Sequence, residues 1–193
     1  MPAPPRPRNA AETKARILKA AQQAFAEKGY SQAGLRDIAE RAGVASSLLV
    51  KYHGTKARLF EEALVAALSG NLLLDKKAGF GEALMRAVLD PAMNITAPAM
   101  IALSLGDGEA REISAKIARE RIIAPMAEWL GPPHGEARAA STLLLSVGFA
   151  IFNRYMETLP AQEERAIAQD WLVRTIQSVV DGPEGAPVPP VAA

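Results

Sequence analysis

Gly34-Leu35-Arg36-Asp37-Ile38-Ala39-Glu40-Arg41-Ala42-Gly43-Val44-Ala45-Ser46-Ser47-Leu48-Leu49-Val50-Lys51-Tyr52-His53-Gly54-Thr55-Lys56-Ala57-Arg58-Leu59-Phe60 is the stretch that decides the fold. Leu35, Ile38, Ala39 and Ala42 recur at i, i+3, i+4 and i+7, the spacing of one apolar stripe on a short helix. Gly43 ends that helix, because glycine takes the left-handed conformation past a helix end without steric cost. A second short helix starts at Ala45 or Ser46 and places Leu49 and His53 on one face. Two short helices joined through a glycine turn form a helix-turn-helix, whose second helix lies in the major groove of DNA and turns its first residues toward base edges. Ser46, Ser47, Leu48 and Lys51 are the residues so presented.

Thr55 is a good N-cap, so a third element should run from Lys56 through Arg58, Leu59, Phe60 and Ala63. A lysine in a first turn opposes the helix macrodipole, which favours anions there by about 0.3–1 kcal/mol. A bound phosphate would reconcile the two, since it is attracted both by the free N–H groups and by the Lys56 charge. The plainer alternative is a solvated lysine. His53 also has two readings: a pH-sensitive DNA contact, or a core imidazole. Its place one turn after Leu49 favours the core.

Thr13 to Leu64 resembles the DNA-binding domain of the tetracycline-repressor (TetR) family of bacterial transcriptional regulators. The resemblance lies in Thr13-Lys14-Ala15-Arg16-Ile17-Leu18-Lys19-Ala20-Ala21, Phe25-Ala26-Glu27-Lys28-Gly29-Tyr30, Arg36-Asp37-Ile38-Ala39, Ala42-Gly43-Val44, Lys51-Tyr52 and Gly54-Thr55-Lys56 with Leu59-Phe60. It implies an all-α protein with an N-terminal three-helix DNA-binding domain and a C-terminal helical domain for ligand binding and dimerisation. Lys56, Tyr52 and Arg36 are then expected on phosphates, with Ser46, Ser47, Leu48 and Lys51 on bases. Four positions depart from the family pattern. Gly34 replaces a capping threonine and Ala45 a capping serine, a change of about 1 kcal/mol at Ala45 unless Ser46 caps instead. Val50 replaces a common tyrosine, so the phosphate contact made there is not carried over, and His53 replaces a phenylalanine.

Charge is divided along the chain. Residues 1 to 60 hold 11 Lys and Arg against 4 Asp and Glu, whereas the remainder holds 11 against 17. The near-neutral total of +1 therefore conceals a basic head able to displace counterions from DNA. At 193 residues and 49% apolar content the chain can bury a sizeable core. Without cysteine there is no thiolate ligand, and two histidines, His53 and His134, are too few for a zinc site without borrowed carboxylates. No metal, cofactor or catalytic residue is expected. The N-terminal Met-Pro-Ala-Pro-Pro-Arg-Pro-Arg stretch lacks the apolar run of a secretory signal, which points to the cytoplasm. Ala139 to Phe152 is apolar but too short for a bilayer, so no membrane association is expected.

These observations divide the chain into a disordered arm (1–9), a helix-turn-helix domain (10–54), a helical regulatory and dimerisation domain (55–181) and a disordered tail (182–193). Asn9 with Glu12 resembles a capping box, and Ile17, Ala21 and Phe25 give the first helix its packing face up to Gly29. Every later segment with a clear period reads helical. Breaks are expected at Gly79 and Gly81, Asp90-Pro91, Gly106-Asp107-Gly108, Gly131-Pro132-Pro133 and Pro160. Pro98 fits the first turn of a helix capped by Thr96, and Pro125 should kink or restart one.

Two late helices, about 135–157 and 162–180, carry apolar residues on more than one side and therefore call for a second partner, the other subunit of a homodimer. Ala140, Leu144, Val147 and Ile151 form a stripe on the first; Ala168, Leu172, Ile176 and Val179 form one on the second. If the resemblance extends to the middle helices, they enclose a pocket for a small-molecule effector lined by Phe80, Met93, Met100 and Trp129. The functional expectation is a transcriptional regulator, a repressor released from a palindromic double-stranded DNA operator by a ligand. The alternative is an effector-independent architectural DNA binder. An enzyme is not expected, for the chain has no glycine-rich phosphate loop and no nucleophile with a placed base.

Overall fold

The computed structural model describes residues 7–68, 74–90, 96–156 and 161–182, and among these every regular element is helical. They are α1 (Pro7–Gln32), α2 (Leu35–Arg41), α3 (Ser46–His53), α4 (Lys56–Leu68), α5 (Phe80–Leu89), α6 (Ala97–Ser104), α7 (Gly108–Ala118), α8 (Ala124–Leu130), α9 (Gly135–Ala150) and α10 (Gln162–Asp181). Two π-helical turns, Arg119–Ile123 and Ile151–Tyr155, precede α8 and follow α9. The protein is all-α, as its periodicity predicted. Met93, the Asp90-Pro91 proline, Pro160, most of the expected arm and nearly all of the expected tail lie outside the described residues.

The chain forms two compact units, Met1–Ser69 with Ile95–Ile117, and Gly70–Asn94 with Ala118–Ala193. Compactness groups α4, α6 and α7 as far as Ile117 with the first three helices, whereas the sequence reading drew its line after residue 54. In this first unit Ile17, Ala21 and Phe25 of α1 are buried as their spacing predicted, together with Ile38, Leu49, Leu59, Phe60, Leu64 and Met100. Phe25, Tyr30 and Phe60 form an aromatic cluster, with ring centroids 5.1 Å apart for Phe25–Phe60 and 5.2 Å for Tyr30–Phe60. Fully burying one such ring stabilises by roughly 1.5–3 kcal/mol, against about 0–1 kcal/mol for an exposed ion pair. Apolar packing therefore holds the head, and its surface charges remain available for other work.

Helix α1 differs from expectation at its start. It begins at Pro7, so Asn9 lies inside it instead of capping it. A proline in a first turn is well suited to that position, since its missing N–H has no intrahelical acceptor there. At Gly29 the helix is interrupted, with φ +74° and ψ 170°. A Cβ there would stand 3.1 Å from the Leu103 carbonyl oxygen of α6, so both backbone conformation and close approach call for glycine.

In the second unit Phe80, Met85, Met126, Leu130, Ala139, Leu172, Ile176 and Val180 form the core. Gly81 lies within α5 rather than breaking it, and a Cβ on it would run into the Val173 carbonyl of α10. The Arg138 guanidinium closes the end of α10 by donating to the carbonyls of Val179 (2.8 Å) and Val180. Pro125 is the second residue of α8, which follows the π-helical turn directly. Proline removes a donor and collides with the carbonyl four residues back, so the regular ladder cannot run through it, and the widened turn absorbs the conflict.

Two further expectations need correction. Ile176, expected in the subunit interface, is buried in this core together with Leu172; the face of α10 turned outward carries Ile167 and Trp171. The apolar stretch Ala139 to Phe152, expected to be too short for a bilayer, is part of a longer one. Gly135–Asn153 is long and apolar enough to cross a membrane by length and composition, and only 17% of its most apolar window is buried within the single chain.

Candidate nucleic-acid interface

Helix α2 starts after Gly34, which adopts an extended conformation and provides no side-chain cap. Ile38, Ala39 and Ala42 are buried and Leu35 packs against them, so the predicted stripe fixes the helix on the core. Gly43 then turns the chain at φ +63°. Helix α3 follows with Ala45 at its N-cap and no side-chain cap; Ser46 is its first helical residue and does not take over that role. Leu49 and His53 anchor α3, being almost fully buried one turn apart. The opposite side is thereby committed to solvent: Ser46, Ser47 and Lys51 are exposed, with Leu48 and Tyr52 half-buried beside them. Arg36 is exposed in the first turn of α2. The structure thus brings the expected base-reading residues onto one short helix.

His53 is a core residue and more. Its Nδ1 lies 2.9 Å from Glu62 Oε2 on α4, while Nε2 is buried without a partner. Burial pushes the His53 pKa down despite the carboxylate beside it. Glu62 also pairs with Lys14 of α1 (3.3 Å) and Arg58 (3.1 Å). Burial alone would raise the Glu62 carboxyl, but hydrogen bonds from Lys14, Arg58 and His53 together hold it below its ordinary value. This node joining α1, α3 and α4 was missed by the sequence reading; a histidine nine residues before a glutamate carries no local signal.

Thr55 caps α4 as predicted, its Oγ1 accepting from the Arg58 N–H at 3.1 Å. Lys56 is better provided than its first-turn position suggested. Its ammonium donates to the Ser31 carbonyl at 3.2 Å and stands 4.7 Å from the Tyr30 ring centroid. Burial lowers its pKa, and the charge of Asp107 offsets part of that. The same two residues are held from the far side by the start of α7. Tyr30 Oη donates to Glu109 at 2.7 Å, and Ser31 Oγ to Asp107 at 3.2 Å. Burial, then the Glu109 hydrogen bond, push the Tyr30 phenol upward. Asp107 also accepts from the Ala110 N–H at 3.1 Å, capping α7.

The surface charges sort into two groups. Lys28 pairs with Asp37 at 2.6 Å, which holds that carboxyl below its ordinary range, and Arg41 pairs with Glu27 at 2.8 Å. Among the described side chains of α1, α2 and α3, Arg16, Lys19, Arg36 and Lys51 are exposed cations without an ion pair. Arg16 and Lys19 were not singled out from the sequence, although their three-residue spacing on α1 was visible there; the Arg16 guanidinium lies beside the turn glycine Gly43. Unpaired cations around an outward helix can neutralise phosphates, and the hydroxyls and Lys51 can reach base edges.

The residues expected to line an effector pocket are distributed differently. Phe80 and Trp129 pack together in the second unit, ring centroids 5.1 Å apart, whereas Met100 belongs to the core of the first. Thr96 occupies the N-cap position of α6, but its buried hydroxyl makes no cap bond and has no partner.

Comparison with known families matches residues 17–63 to the bacterial regulatory proteins of the tetR family and residues 78–180 to the tetracyclin repressor-like C-terminal domain. No curated protein sequence matches the chain. Among solved structures, a Rhodococcus sp. protein assigned to the TetR family is similar with a TM-score of 0.71 at 19% identity, covering 88% of this chain and 99% of that one. A TetR-family regulator from Streptomyces coelicolor A3 is 28% identical with a TM-score of 0.52, covering 93% and 99%. NalD of Pseudomonas aeruginosa, described as the secondary repressor of the MexAB-OprM multidrug efflux pump, is 19% identical with a TM-score of 0.61, covering 89% and 96%.

Proposed function

This chain belongs to the tetR family of bacterial regulatory proteins, and from that premise we propose that it is a repressor whose homodimer binds a palindromic operator and leaves it when a small molecule binds. The observation that carries the reading is the outward face of α3, where Ser46, Ser47 and Lys51 stand exposed, with unpaired Arg36 exposed in the first turn of α2. In this reading Ser46, Ser47, Leu48 and Lys51 contact bases, while Arg36, Tyr52 and Lys56 contact phosphates. Phosphate contacts supply affinity and register, and base contacts supply discrimination.

Two heads must meet successive major grooves about 34 Å apart or a multiple of that. A two-fold dimer through α9 and α10 meets the requirement, and the exposed Leu144, Phe152, Ile167 and Trp171 give it an apolar surface. The effector is placed in the second unit, next to the Phe80–Trp129 pair. A ligand that favours the form unable to span the operator draws the population away from DNA by its differential affinity, and DNA must weaken that ligand by the same factor. Within the first unit, the Tyr30–Glu109 and Ser31–Asp107 bonds offer the route by which a displacement of α7 reaches the seat of Lys56.

Genomic footprinting of the purified protein tests the DNA half of this reading. Protection of two-fold-related sites upstream of genes is expected; uniform, sequence-indifferent protection would overturn it in favour of an architectural binder. A thermal-shift screen of metabolites and antibiotics, with each hit titrated against the operator complex, tests the ligand half. At least one hit should weaken DNA binding, and hits that all leave DNA affinity unchanged would overturn the inducer.

A further inference from the structure

Val50 stands on α3 with 49% of its surface exposed, and the contacts proposed above give it no task. Leu49 and His53 turn toward the core. At about 100° per residue, Ser47 and Lys51 then take the outermost line of the helix. Ser46 and Val50 form one flank of that line, and Leu48 and Tyr52 the other. Val50 is therefore on the same exposed surface as the residues assigned to bases, one turn from Ser46 and next in sequence to Lys51.

The chemistry of that side chain restricts what it can meet. Valine has no donor or acceptor, so it can neither hold a phosphate nor read a nitrogen or oxygen on a base edge. It is also a β-branched residue, slightly unfavourable in a helix, and here its burial does not compensate. The apolar feature offered by the major groove is the C5-methyl of thymine. Resting on the DNA-binding reading, we propose that Val50 is a specificity-determining residue, its two γ-methyl groups seating the C5-methyl of one thymine in each operator half-site, beside the base pair that Lys51 reads. The flanking Ser46 and Ser47 hydroxyls adapt to either donors or acceptors. Val50 then supplies a discrimination that the serines cannot, because a cytosine at that place presents an amino group and no methyl.

Duplexes enriched by the wild-type protein from a randomised pool provide the probe. Each thymine of the enriched half-site is replaced singly by deoxyuridine, which removes the methyl and keeps every hydrogen-bonding group. One position per half-site should weaken wild-type binding about fourfold, the effect of roughly one buried methyl group. Val50→Ala should bind the thymine and uracil duplexes alike, and Val50→Thr, which retains one methyl on the same branch, should discriminate to an intermediate degree. Thermal melting of both variants should match the wild type, since Val50 is no part of the core. Three results would overturn the inference while leaving the regulator intact: enriched half-sites without thymine, wild-type indifference to uracil at every thymine, or undiminished discrimination by Val50→Ala. Failure to enrich any duplex would instead overturn the regulator reading, and this inference with it.

Discussion

His53 Nδ1 and Glu62 Oε2 lie 2.9 Å apart, joining the last residue of the candidate recognition helix to the helix that follows it. Glu62 is shared with Lys14 and Arg58, so one carboxylate fixes three helices at the point where α3 ends. The orphaned Nε2 makes the arrangement dependent on a neutral ring, for a proton there would create a buried charged donor without an acceptor.

The first prediction is a pH effect on stability. Burial lowers the His53 pKa in the folded chain, whereas the unfolded chain takes up its proton near the ordinary value of about 6.5. The unfolded state then binds more protons below that value, so the stabilisation is complete above pH of about 6.5 and declines as pH falls toward the folded pKa. Glu62, also lowered, loses its contribution at more acid pH, below its unfolded value. Denaturant midpoints at pH 7.5 and pH 5.5 should show a loss for the wild type and a smaller loss for His53→Phe. Equal losses in the two proteins would remove His53 from the account.

A second prediction separates two lysines. Lys56→Ala should weaken binding to all DNA sequences alike and flatten the salt dependence by roughly one unit in slope. Lys51→Ala should cost about 1–3 kcal/mol on the preferred site and relax the preference at one base position. Because Lys56 also rests on Tyr30 and Ser31, Glu109→Gln serves as a companion: its carboxylate supports Tyr30 and is assigned no DNA contact. Binding isotherms across a salt series decide, and unchanged affinity in both lysine variants would refute the assignment.

How far the sequence reached depends on the range of the signal. The apolar spacing of Leu35, Ile38, Ala39 and Ala42, the turn at Gly43 and the Thr55 cap are local, and all are present in the structure. What the sequence could not display is the set of contacts between residues far apart: Leu103 against Gly29, Glu109 on Tyr30, Asp107 on Ser31. These gave Lys56 neighbours that its own surroundings in the sequence did not foretell. Helices apolar on several sides posed a related difficulty. Periodicity marked both Ile176 and Trp171 as apolar, but only tertiary packing decides that Ile176 faces the core and Trp171 the solvent. The outward residues of α3 were legible because the helix is short and its buried side was evident from Leu49 and His53; an effector-binding set was not, since core and pocket residues share one composition.

A third prediction concerns Gly81. A methyl group there meets the Val173 carbonyl and, at 3.3 Å, the Gln177 backbone nitrogen, neither of which can swing away. The Gly81 N–H is also held by the Gln177 side chain at 3.1 Å. Gly81→Ala should therefore force α5 from α10 and destabilise by about 1–3 kcal/mol, despite alanine being the better helix former. Urea denaturation would measure it. A neutral or stabilising result would show that the two helices are packed less closely than the structure has them.

The last prediction concerns assembly and turns on which face of each late helix is changed. Leu144 on α9 is 74% exposed and Trp171 on α10 is 54% exposed, while Ile176, five residues farther along α10 and so on another face of it, is fully buried. A glutamate at an exposed position costs the single chain little, but at the centre of a dimer interface it would bury an unpaired carboxylate, which is strongly unfavourable. Leu144→Glu should therefore yield folded monomers that retain helical content, and operator affinity should fall because two linked heads no longer bind as one unit. Ile176→Glu places the same charge in the core of the second unit and should instead unfold it. Sedimentation and circular dichroism together distinguish the two outcomes. Folded dimers from Leu144→Glu, with wild-type operator affinity, would refute the α9–α10 interface and require another surface to bring the heads together.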